Sequence, residues 1–172
     1  MTRILGIDPG SRTTGYGIID FQRDRATHVA SGCVDLGGET CQRLRIIFDA
    51  ISELVTAYGP REVAAEQIFV HRNAASALKL GQARGAALLA GALRDLPVYE
   101  YTATQIKQAV TGRGHGAKGQ VQHMIRVLLA LSEAPRADAA DALAVALCHA
   151  HMRWTLTRIQ RLERPGGRGV RP

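Results

Sequence analysis

Five short segments of this chain carry the character of buried strands, and their order restricts the fold more than any other feature. Arg3-Ile4-Leu5-Gly6-Ile7 is a short apolar run stopped by Asp8-Pro9-Gly10. Thr14 to Phe21 and Thr27 to Leu36 follow as extended segments with polar and glycine punctuation, so the opening of the chain reads as an antiparallel meander. The other two strands, Val63-Ala64-Ala65 running into Glu66 and Pro97 to Tyr101, are separated by helical stretches. From Cys41 to Tyr58 the residues Leu44, Ile47, Phe48, Ile51, Val55 and Tyr58 recur at spacings of three and four, and Gly59-Pro60 ends that helix. A long helix is predicted from an N-cap at Asn73 to about Leu93, with further helices over about 102–111, 119–131 and 136–152. Three consecutive strands followed by alternating helices and strands predict an α/β domain, a mixed five-stranded sheet flanked by helices.

The 172 residues suit one domain with a real core, and 46% hydrophobic content excludes a disordered or fibrous chain. The predicted division is a folded domain over 1–152 and an Arg-rich, flexible tail over 153–172, where Arg164-Pro165-Gly166-Gly167-Arg168-Gly169 lacks periodicity. No apolar run approaches the ~20 residues needed to span a bilayer, and Arg3 leads straight into a strand rather than a secretory leader, so a cytosolic protein is expected. Three cysteines, Cys33, Cys41 and Cys148, with no C-x-x-C pair, read as reduced, mostly buried thiols and argue against a disulfide framework or thiolate zinc. The net charge is +7, of which six arginines against Glu163 place +5 in the tail. The body holds the other +2, and more positive surface if several of its acids converge on a bound cation, a balance that suits a polyanionic partner. An Arg-rich surface that serves solubility alone has the same composition.

Two of those acids, Asp8 and Glu66, each end an otherwise apolar strand, where a carboxylate is costly unless a cation or donors compensate it. Asp8 also has good turn chemistry in Asp-Pro-Gly, whereas glutamate is no turn residue and Gln67-Ile68-Phe69 continues the apolar character. Asp138 and Asp141 share one face of the helix after Pro135, either as first-turn acids complementing its dipole or as part of a site. That helix is apolar all round from Ala139 to Leu147, which predicts burial. Together the four acids form an oxygen-rich set of the kind that Mg²⁺, with Mn²⁺ as substitute, prefers. Two such ions about 4 Å apart would activate water and stabilise the leaving 3′ oxygen of a phosphodiester.

Other motifs are weaker. Gly112 to Gly119 resembles a phosphate cradle without the G-x-x-x-x-G-K-[ST] pattern; its Arg113 and Lys118 are candidate phosphate contacts, and a plain linker is the other reading. His149 and His151 fall on different faces of a helix, so they read as satisfied polar residues rather than as joint metal ligands. Phe69, close behind Glu66, is either core or an aromatic wedge into a base step.

At these residues the sequence resembles the RuvC family of Holliday junction resolvases, within the RNase H-like superfamily. The likeness rests on Gly6-Ile7-Asp8-Pro9-Gly10-Ser11 with Thr14-Gly15-Tyr16-Gly17, on Glu66-Gln67-Ile68-Phe69, on Asn73 and Ala77 to Gly85, on Gln120 to Met124, and on Ala137 to Ala142. The resemblance implies an RNase H-like sheet and a Mg²⁺-dependent endonuclease, with Asp8, Glu66, Asp138 and Asp141 as catalytic metal ligands and Phe69 at the junction centre. It implies DNA contacts by Lys107 and Lys118, with Lys118 also catalytic, and Arg72, Lys79 and Arg84 are further candidate DNA contacts. The implied partners are four-way junction DNA, a second copy of the chain, and the RuvA and RuvB branch-migration proteins; the Ala/Gly-rich helix from Asn73 to Leu93 is the expected site of much of the dimer interface. The rival readings are a non-catalytic junction-binding module and an actin-like ATP-binding protein, which needs two similar subdomains.

Overall fold

The computed structural model describes residues 1–68, 74–112 and 118–163, with the side chains of 118 and 160–163 left aside. Strands β1 (Thr2–Asp8), β2 (Thr13–Gln22) and β3 (Arg25–Asp35) form the expected antiparallel meander. They are followed by α1 (Thr40–Tyr58), β4 (Glu62–Glu66), α2 (Ala74–Ala92), β5 (Val98–Tyr101), α3 (Ala103–Thr111), α4 (Lys118–Leu128) and α5 (Ala137–Glu163). The sheet order is β3-β2-β1-β4-β5, antiparallel on the meander side and parallel from β1 through β4 to β5. This is the mixed five-stranded sheet expected from the sequence. The β2–β3 register slips between Ile18 and Ile19, where Val29 is the extra residue of a bulge.

Strand alternation divides the core between the two faces of the sheet. Leu5, Ile7 and Val63 pack with Ile47 and Ile51 of α1 and Ala83 and Ala87 of α2. Ile4, Ala64 and Tyr101 face the other way, onto Leu143, Ala144 and Leu147 of α5. Helices α3 and α4 then cover the outer side of α5 through Ile106, Val110, Val121 and Ile125. Enclosure by the sheet on one side and by helices on the other is why α5 is apolar all round, and residues 142–150 are all buried.

Among the described residues Thr14, Glu62 and His149 are buried polar groups, and two of them interact. Neutral His149 on α5 donates from Nε2 to Glu62 Oε2 at 2.8 Å and accepts the Tyr101 hydroxyl at Nδ1 at 2.6 Å, and Tyr99 stacks on its ring. Burial pushes the imidazole below its ordinary pKa, against the pull of Glu62, and pushes the Tyr101 phenol up to about 12. His149 is thus a satisfied polar residue, as its position opposite His151 suggested.

The predicted boundary after residue 152 falls inside α5. Arg153 is tied to Glu62 (Nε–Oε1 3.0 Å) and to Thr2 Oγ1 (3.0 Å), and Arg158 lies 5.9 Å from the Trp154 ring centroid. Arg153 ties this part of α5 to the body, and the helix runs on to Glu163, so the stretch 153–163 is helical rather than irregular. Residues 164–172 lie outside those described. The cysteines are free, but only Cys148 is buried; Cys33 is half-buried and Cys41 exposed on the first turn of α1, which corrects the expectation of mostly buried thiols.

Candidate active site

The parallel pair β1–β4 aligns Ile4 with Glu62 and Ile7 with Ala65, and one step further each strand ends in its acid, Asp8 and Glu66. Positions 4, 6 and 8 of β1 and 62, 64 and 66 of β4 share the face that α5 covers. Both carboxylates therefore lie at the carboxyl ends of adjacent parallel strands, the place where open α/β sheets form their sites.

The amino end of α5 is laid on the same place. Asp8 pairs with Gly15 across β1–β2, and a β-carbon at Gly15 would collide with the Asp138 carbonyl oxygen. Gly6 is pressed in the same way by the Ala142 carbonyl. Only glycine gives the helix backbone this close approach, so the spacing of Gly6 and Gly15 brings Asp138 over Asp8. Asp141, one helical step on, acts on Glu66. The Glu66 carboxyl is pushed above its usual range, first by burial and then by the charge of Asp141, with Lys107 of α3 opposing the shift. Arg136 joins the first turn of α5 to Asp35 at the end of β3, Nη2 to Oδ1 at 3.2 Å.

The four predicted acids are thus brought to one end of the molecule from three elements. Their burial differs from the expectation that both aspartates sit on a buried helix. Asp138 is half-buried and Asp141 exposed, because full burial of α5 is continuous only from Ala142. As they stand, no three His, Cys, Asp or Glu side chains among the described residues form a group that could hold a metal ion, so the acids share a locality without closing into a cage. Four like charges repel, and drawing them together takes a counter-charge.

Of the other predicted residues, Lys107 reaches the site through its charge on Glu66. Lys79 lines a cavity of about 210 Å³ with Ser11, Arg43 and Gln82, on the α1–α2 side of the sheet. Arg84, expected to touch DNA, is 19% exposed at its side chain and is occupied by the Glu66 main-chain carbonyl and by Glu100. It is turned inward because its position on α2 faces the β4–β5 edge. Phe69, Arg72 and Arg113 lie outside the described residues, as does the side chain of Lys118, whose backbone opens α4. Sequence reasoning missed Arg136 and the inward role of Arg84. The packing role of Gly15 and Gly17 went unread as well, although two glycines at a period of two on one strand face signal a helix lying in contact.

The family described as "Crossover junction endodeoxyribonuclease RuvC" matches residues 4–149. The chain belongs to the RuvC family. The RuvC protein of Stutzerimonas stutzeri is 57% identical over 157 residues, covering 91% of this chain and 90% of that protein. That of Aeromonas hydrophila is 56% identical, covering 92% of each. Among solved structures, T. thermophilus RuvC in complex with Holliday junction substrate superposes with a TM-score of 0.85 at 36% identity, over 91% of this chain and 98% of that one. The yeast mitochondrial Holliday junction resolvase Ydc2, at 12% identity and a TM-score of 0.68, shares the fold. RuvC proteins are endonucleases, and membership implies use of a divalent metal. Oxygen-only donors at strand ends, with a Glu66 carboxylate strained by burial and by Asp141, fit such an ion. No helix among the described residues is long and apolar enough to cross a membrane.

Proposed function

We propose that this RuvC family member resolves four-way DNA junctions by paired symmetric nicks, hydrolysing phosphodiesters in DNA recombination and repair. The observation that carries the reading is the convergence of Asp8 and Glu66, on adjacent parallel strands, with the first turns of α5 bearing Asp138 and Asp141. In this reading the four carboxylates hold Mg²⁺, two ions per site, with Mn²⁺ as substitute. Such ions supply Lewis acidity toward the phosphate and the attacking water. The protein's share is positional. The two strand ends fix Asp8 and Glu66 from the sheet, α5 fixes Asp138 and Asp141 from above, and Lys107 adds positive charge beside Glu66 where a phosphate would lie. Water attacks phosphorus in line as it gives up a proton, the P–O3′ bond breaks, and the leaving oxygen takes up a proton, so the products are a 5′-phosphate and a 3′-hydroxyl. Lys118 is assigned to the same reaction, and Phe69, Arg72, Lys79 and Arg113 to junction contact.

A second copy of the chain is the proposed partner, because a two-fold dimer can present two sites to strands of like polarity. The outer face of α2 supports this: Gly81 and Gly85 have no neighbour where a β-carbon would stand, and Leu78, Leu89 and Leu93 beside them are exposed. RuvA and RuvB are the further proposed partners, in the cytoplasm.

The test is cleavage of a synthetic four-way junction beside a linear duplex of the same sequence. The expected result is two nicks at symmetric positions on opposed strands of the junction, with Mg²⁺ and not with EDTA. Binding of the junction without cutting would favour the non-catalytic module, and equal nicking of the linear duplex would overturn the structural selectivity.

A further inference from the structure

Glu66 is the last residue of β4, and its register with β1 ends one residue earlier, at Ala65. Its carboxylate turns to the α5 face, while its main-chain carbonyl is met from the opposite face by α2. Arg84 Nε donates to the Glu66 carbonyl oxygen at 3.3 Å, and Arg84 Nη2, shut off from solvent and without a hydrogen-bond partner, is held beside Glu100 Oε1 of β5 as an ion pair. The adjoining Gln67 N–H donates to the Tyr101 carbonyl at 2.9 Å, the last bond of the β4–β5 ladder. Arg84 therefore joins three elements at the point where the strand carrying Glu66 leaves the sheet.

We propose that Arg84 is a positioning residue, which fixes the main chain of Glu66 from the face of the sheet opposite the carboxylates and makes no DNA contact. A planar guanidinium suits the task, since one fork serves a carbonyl and a carboxylate together while a lysine ammonium acts as a point charge. The charge-assisted bond to the Glu66 carbonyl, with the guanidinium held in place by the Glu100 ion pair, restricts the backbone that aims the carboxylate, and the reaction depends on that aim. The inference rests on the reading of Glu66 as an acid of the site.

The experiment compares full-length Arg84→Met, Arg84→Lys, Glu100→Gln and Glu66→Gln with the wild type. Junction affinity is measured in EDTA across salt concentrations, single-turnover cleavage across Mg²⁺ concentrations at saturating junction, and Mn²⁺ binding to the DNA-free protein by calorimetry. Arg84→Met is expected to lower the maximal cleavage rate about 10- to 100-fold, the cost of a small misplacement at a reacting centre. It should also weaken Mn²⁺ binding and raise the Mg²⁺ requirement, with junction affinity and its salt slope unchanged. Arg84→Lys should recover part of the rate, and Glu100→Gln, which keeps shape and loosens the guanidinium, should show a smaller loss in the same direction. Should Arg84→Met fail to fold, the other two variants decide by the same criteria. Weaker junction binding with a shallower salt slope and a normal rate at saturation would make Arg84 a DNA contact and overturn the proposal. Normal rates and metal binding in all three variants would overturn it as well. If Glu66→Gln itself cuts at the wild-type rate, the assignment of Glu66 falls; if only that variant is inactive, the role of Arg84 alone falls.

Discussion

Asp20 on β2 accepts two hydrogen bonds from Arg3 of β1, Nε to Oδ1 and Nη2 to Oδ2, each at 2.8 Å, and Arg3 Nη1 donates to the Tyr58 carbonyl at 2.7 Å. The hydrogen bonds from Arg3 hold the Asp20 carboxyl below its ordinary range, outweighing partial burial. An acid whose folded pKa is depressed binds fewer protons folded than unfolded, so its stabilisation is full above the ordinary carboxylate value and is lost as pH falls through the folded one. Asp20→Asn should cost about 1 kcal/mol at neutral pH and flatten the loss of stability below about pH 4. Urea unfolding of both proteins from pH 3 to 7 checks this; curves that fall in parallel would place the acid sensitivity in other carboxylates. At this scale Asp8 and Glu66 were legible because a carboxylate ending an apolar strand is an anomaly that the sequence itself displays, and Asp138 and Asp141 because they share one face of a helix that is otherwise apolar. Arg84 was not, since positive charge says nothing of whether a helix turns it to solvent or to a strand end.

Helix α5 is the element on which the site depends, and its seating is set by missing side chains. The collision at Gly15 is with backbone, the Asp138 carbonyl, which no rotamer change relieves. Gly15→Ala should therefore destabilise the fold by about 2–4 kcal/mol and reduce cleavage, by lifting Asp138 away from Asp8. Gly119→Ala, on α4 with nothing near its β-carbon, should be neutral or stabilise by up to about 1 kcal/mol. Denaturant melts and junction cleavage check both; equal behaviour of the two variants would mean α5 does not rest on Gly15. The strands and helices were legible from periodicity and from the turn residues between them. The continuation of α5 to Glu163 was not, because Arg153 gains its anchors from Glu62 and Thr2, remote in sequence.

Across the whole molecule, the basic excess divides differently from the sequence expectation. Arg153 and Arg158 lie on α5, where Arg153 is engaged by Glu62 and Arg158 lies over Trp154 of the same helix. The segment 164–172 carries three further positive charges, Arg164, Arg168 and Arg171. Its deletion should weaken junction binding modestly and reduce the salt slope by at most about 3, with stability unchanged. An unaltered slope would mean that the segment does not meet phosphate. The family was legible from ordered motifs along the chain, whereas the meeting of those motifs at one sheet end required the strand order β2-β1-β4, which no local pattern encodes.

The central claim, that acids from β1, β4 and α5 act as one metal-dependent site, is tested most directly by single-turnover cleavage of a four-way junction. The measurement compares Asp8→Asn, Glu66→Gln, Asp138→Asn and Asp141→Asn in Mg²⁺, with junction affinity measured alongside in EDTA. Each variant should bind the junction as tightly as the wild type or more so, and each should lose cleavage by at least about a hundredfold. Cleavage at the wild-type rate by any one of them would remove that acid from the site, and undiminished cutting by Asp8→Asn together with Glu66→Gln would contradict the account.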